Sequence, residues 1–96
     1  MKNTQKVSFT QEGKSGTVHY RGVDGSFDMY YEFGGLSPAV IIWIPTVEDW
    51  GTKTGISLYK RKSILSLIGE QIIFQQFKNE NANYTIESKH IYIFTT

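Results

Sequence analysis

The sequence predicts an α+β domain with a mostly antiparallel sheet: four strands in a meander, one long helix, then a C-terminal hairpin, in the order ββββαββ. Three observations carry this. Ala39 to Ile44 is an unbroken apolar run between Pro38 and Pro45, residues 7–33 alternate apolar with polar, and a single stripe of helical period runs from Leu58 to Phe77. The 96 residues make one domain, spanning 1–96, with room for a single core.

The apolar run fixes the rest. Its shortness, its β-branched and aromatic content and the prolines at its ends make it a strand rather than a helix, and it is apolar toward both faces. Ahead of it, Lys6 to Gln11 alternates Val7 and Phe9 with polar residues. Glu12-Gly13-Lys14-Ser15-Gly16 supplies a turn, and Thr17 to Arg21 returns with Val18 and Tyr20 on one side, so the two segments pair as a hairpin. Asp24-Gly25 reads as a two-residue turn into a third strand, Ser26 to Phe33. There Phe27, Met29, Tyr31 and Phe33 share one face, and Asp28, Tyr30 and Glu32 the other. Gly34-Gly35-Leu36-Ser37-Pro38 then turns the chain into the apolar strand.

From Pro45 to Gly55 the pattern breaks. Thr46 to Trp50 reads as one helical turn capped by Thr46, with Asp49 answering as in a capping box and Gly51 and Gly55 bracketing a loop. The long helix runs from Leu58, with Ser57 as cap, to Lys78, with Asn79 at the left-handed position after it. Leu58, Arg61, Leu65, Ile68 and Ile72 trace its apolar stripe, widened by Ile64, Leu67, Ile73 and Phe77. So wide a stripe fits a helix lying on a sheet. Gly69 lowers helix propensity by about 1 kcal/mol, which implies close approach of a strand or a large ring. Tyr84 to Ile86 and His90 to Phe94 complete the terminal hairpin.

One helix covers one face of a sheet. Either the sheet curls strongly enough to enclose its second face, as in a closed or half-closed barrel, or that face stays available to a partner. Composition narrows the partner. Ten Lys+Arg against nine Asp+Glu leave a net +1, which makes nucleic acid an unlikely ligand because phosphate contacts need a basic excess. The absence of cysteine removes disulfides and thiolate chemistry, and with no apolar leader after Met1 the expected location is cytoplasmic. No apolar run approaches 18 residues, so no membrane span is expected.

No motif fixes a reaction, and no catalytic residue, cofactor or metal ligand is assigned. His19 and His90 stand in no metal-binding spacing. Gly13-Lys14-Ser15 leads into a strand rather than a helix, which rejects a phosphate loop. Glu48 and Asp49 with Glu32 resemble an acid-base pair, although acidic residues in a first helical turn are expected from the helix dipole alone. Lys60-Arg61-Lys62 places positive charge where that dipole opposes it, and Arg61 pairing with Glu48 or Asp49 would make it a solvated face.

The expected function is therefore a small protein-binding module: an inhibitor, an immunity-type or adaptor protein, or a homodimer formed through the sheet. Trp43, Trp50, Tyr30, Glu48, Asp49, Lys60 and Arg61 are its expected contact residues. A second reading is a small-ligand protein or enzyme with a pocket between helix and sheet, using Glu32, Glu48, Asp49 and Arg61. A third is a weak nucleic-acid binder using Lys53, Lys60, Arg61 and Lys62.

Overall fold

Period-two alternation forms the strands. In the computed structural model, which describes residues 5–35, 37–78 and 81–95, β1 (Lys6–Glu12), β2 (Ser15–Gly22), β3 (Gly25–Phe33) and β4 (Val40–Trp43) make the expected meander. The terminal hairpin, β5 (Ala82–Ile86) and β6 (His90–Thr95), joins through its last strand. The sheet order is β1-β2-β3-β4-β6-β5 with every neighbouring pair antiparallel. β1 and β5 are its two free edges, so the sheet is open and the barrel alternative falls.

One turn departs from expectation, and packing explains it. Gly22 pairs with Gly25, so the β2–β3 turn is Val23-Asp24, one residue earlier than Asp24-Gly25. Gly25 belongs to the strand, where its φ of +145° and the approach of Ile56 Cγ1 to 2.7 Å of any added Cβ leave glycine alone able to serve. The loop before β4 contains a cis Ser37–Pro38 peptide, and Leu36 lies outside the described residues.

The helical region is also cut differently. The Asp49 N–H bonds to the Thr46 hydroxyl at 3.2 Å as the capping reading requires, but helix α1 (Trp50–Thr54) starts after that turn. Gly51 lies inside α1 instead of opening a loop, and Gly55 closes it with φ +72°. Leu58–Lys60 is a 3-10 turn, and α2 (Arg61–Gln76) is the long helix; Ser57 makes no side-chain cap bond. Three residues per turn break the helical phase, so Leu58 leaves the stripe and is half-exposed, and Tyr59 beside it points to solvent. Asn79, expected to end the helix, lies outside the described residues.

The core lies between α2 and one sheet face. Val7, Val18, Tyr20, Phe27, Met29, Tyr31, Val40, Ile42, Ile91 and Ile93 meet Ile64, Leu65, Ile68 and Ile72 there, all buried. At one end Trp50 closes the layer, its ring edge-on to Phe27 at 5.2 Å. Its indole N–H donates to the Ser57 carbonyl at 3.2 Å.

Gly69 fulfils its expectation through a ring. A Cβ there would stand 2.9 Å from Cγ and Cδ2 of Tyr84 on β5. Gly69→Ala therefore forces Tyr84 or the helix to move, a cost of about 1–3 kcal/mol that outweighs the gain of up to about 1 kcal/mol in helix propensity. A Cβ on Gly51 would meet nothing within 4 Å. In urea titrations Gly69→Ala lowers the unfolding midpoint, whereas Gly51→Ala raises stability by about 0.4–1 kcal/mol.

Candidate functional site

Among the described residues no helix packs on the face of the sheet opposite α2, and strand register decides what lies on it. Directly paired residues share a face, so Asp28, opposite His19, begins a chain of outward neighbours. Thr17 stands opposite Tyr30, Ile41 opposite Glu32 and Tyr92, and Trp43 opposite His90. Asn83 and Thr85 complete the face opposite Phe94 and Tyr92.

This face has two halves. Across β3, β4 and β6 runs a row of rings. Tyr30 and Trp43 have centroids 5.3 Å apart, Trp43 and His90 5.2 Å, His90 and Tyr92 5.3 Å in a stacked arrangement, and Tyr92 and Phe94 6.3 Å. Tyr30 is 47% and Trp43 38% exposed. At one end the Tyr30 hydroxyl donates to Glu32 Oε2 at 2.6 Å, and this bond holds its ionisation above the ordinary phenol value.

The other half is polar and internally bonded. His19 bridges Thr10 Oγ1, 2.8 Å from Nε2, and Asp28 Oδ1, 2.9 Å from Nδ1. Arg21 Nη1 donates to the same carboxylate oxygen at 2.9 Å. The bond from His19, assisted by Arg21, holds the Asp28 carboxyl below its ordinary value.

Where β4 leaves the sheet a recess opens beside the row. Beyond Trp43 the chain turns off at Ile44 and Pro45, and α1 sits against β3. The gap of about 280 Å³ is walled by Tyr30 and Trp43 and reached from the core side by Met29 and Ile44, with Asp28 and Lys53 at its rim.

The expected contact residues do not form one cluster. Trp43 and Tyr30 come together on the open face. Trp50 does not join them: it is fully buried, so its ring offers a partner no surface. Arg61 lies behind the open face. Its guanidinium donates to the Pro45 carbonyl at 2.9 and 3.3 Å and to the Ser88 carbonyl at 3.3 Å, and stands 6.0 Å from the Trp50 ring centroid. Burial lowers its pKa and the charge of Glu48 opposes that, but the bonds go to carbonyls rather than to Glu48 or Asp49. Lys60 reaches Asp24 at 3.6 Å, and Glu48 and Asp49 are exposed on the turn before α1.

The space expected between helix and sheet is nearly filled. Among the described residues a gap of about 10 Å³ remains beside Phe9, Tyr31, Phe33 and Ile72, and a larger recess of about 300 Å³ lies at the β1 edge, among Gln5, Gln71 and Gln75. Glu32, Glu48, Asp49 and Arg61 line neither. Among the described residues no three His, Asp or Glu side chains gather as a metal site, and no helix is long and apolar enough to cross a membrane.

His90, Tyr92 and Phe94 are the outward residues that sequence reasoning left out of the contact set. Their signal was present, because His90-Ile91-Tyr92-Ile93-Phe94 carries large apolar or aromatic groups at every position, as β4 does. The polar half gives a direct test of the network. A carboxylate with a depressed folded pKa contributes stability above its unfolded pKa and loses it as pH falls through the folded one. Asp28→Asn therefore costs stability at neutral pH, and that cost shrinks as the pH falls below about 4 in pH-dependent urea denaturation. Comparison with protein-family models, with curated proteins and with solved structures finds no match to this chain, so the open face has to be understood from its own side chains.

Proposed function

We propose that this chain is a protein-binding module that docks through the open face of its sheet, with the ring row Tyr30–Trp43–His90–Tyr92–Phe94 as the contact core. The carrying observation is that row: five rings in unbroken succession on a face that no part of the described chain covers. Aromatic residues supply large contact area at low conformational cost and dominate binding hot spots. A sheet of six strands spaced about 4.8 Å is about 24 Å across, a footprint suited to an interface of ordinary size.

Charge favours a protein over a nucleic acid. Arg21 is engaged with Asp28, and Glu32 adds negative charge at the end of the row, so no basic stripe is interleaved with the rings. The basic residues considered for such a role are dispersed, with Arg61 bonded to carbonyls and Lys60 beside Asp24. The occupant that fits is a protein surface that is apolar at its centre and close to neutral, a second copy of this chain included.

Replacing Trp43 and Tyr92 together by serine removes the centre of the row without touching the inner face. Light scattering reads self-association, and retention on immobilised wild-type or variant chain reads a different partner. The double variant keeps the wild-type far-ultraviolet dichroism and loses association by about thirtyfold or more, corresponding to about 2 kcal/mol. A wild type that stays monomeric and retains nothing that the double variant fails to retain defeats the proposal.

A further inference from the structure

We infer that the recess at the end of the ring row is an anchor pocket for an aromatic side chain carrying a free carboxylate, the chemistry of a chain that ends in an aromatic residue. This names the group the docking surface takes and so rests on that reading. The pocket combines three features. Tyr30 and Trp43, their centroids 5.3 Å apart, form one aromatic wall, and buried Met29 and Ile44 close the recess toward the core. Its volume of about 280 Å³ suits one ring-sized group rather than an extended ligand.

The third feature is the charge at the rim. Asp28 already receives His19 and Arg21 on one oxygen, so its charge is offset within the sheet. Lys53, on the exposed side of α1, has no carboxylate within ion-pair distance among the described residues, so its ammonium is the charge left to act at the recess. One unpaired ammonium matches one carboxylate. A dianionic group would find only one ammonium and would add repulsion from Glu32 beside Tyr30. The ring of the ligand stacks against Trp43 or Tyr30, and its carboxylate faces Lys53.

The probe is N-acetylphenylalanine, with its neutral amide and acetate as controls. Trp43 reports binding by fluorescence, since it is the exposed indole while Trp50 is fully buried. Saturable quenching is expected with the acid, weakened about fivefold or more in the amide and absent with acetate. Lys53→Gln reduces the affinity for the acid to that for the amide, Lys53→Glu reduces it further, and added salt weakens the acid alone. Because Lys53 is exposed, these variants leave the fold unchanged, which the dichroism spectrum checks. Equal binding of acid and amide, binding of acetate as strong as that of the acid, or no loss in Lys53→Gln overturns the inference. Protein association without acid-specific quenching removes the anchor and leaves the docking reading, whereas quenching without association does the reverse.

Discussion

Pairing every strand into one open sheet gives this chain two faces to satisfy and a single helix with which to do it. α2 has 16 residues, about 24 Å of helix, close to the width of six strands. Laid on one face it buries that face almost completely, and the inward aliphatic residues of β4 and β6 are among the least exposed in the chain. The remaining elements serve this layer. α1 and Trp50 plug its end, Arg61 ties the turn at Pro45 to the hairpin loop at Ser88, and Gly69 lets Tyr84 lie against the helix. Nothing comparable remains for the opposite face, whose character is set by the second, outward-pointing set of residues on the same strands.

What could be read from the sequence was what local periodicity controls. The division of β3 into Phe27, Met29 and Tyr31 inward and Asp28 and Tyr30 outward follows from a two-residue repeat and needs no knowledge of neighbours. The close approach at Gly69 was legible because a glycine inside a strong helical pattern has a cost that only packing offsets. That β4 is apolar toward both faces was legible too, but whether its second face would be enclosed by a curled sheet or left open was not.

What could not be read depended on contacts between distant segments or on small changes of phase. Trp50 resembles Trp43 in composition, and only the docking of α1 against β3 turns its ring into the core. Lys60, Arg61 and Lys62 are adjacent in sequence, yet the junction of a 3-10 turn with α2 sends Arg61 to backbone carbonyls and Lys60 to Asp24. The β2–β3 turn slipped by one residue because Ile56, from a loop far along the chain, occupies the space a side chain at Gly25 would need. The ring row joins β4 to β6, and no local pattern announces that Trp43 will face His90.

The two halves of the open face differ in the bonds that a partner laid over them would displace. Thr10, His19 and Asp28 reproduce the hydroxyl–imidazole–carboxylate sequence of a nucleophilic triad, with separations of 2.8 and 2.9 Å. A nucleophile also needs donors aimed at a developing oxyanion and a cleft that excludes water. The Thr10 hydroxyl stands on the edge strand β1, and none of the recesses described above is lined by it. Arg21 takes the same Asp28 oxygen that His19 uses, so the carboxylate is shared between two donors rather than reserved to orient one imidazole. These side chains bond one another across three strands, and a partner laid over them would have to replace good hydrogen bonds with others. The rings have no such obligation: covering them removes apolar surface from water and breaks no bond beyond those of the Tyr30 and Tyr92 hydroxyls at their edges.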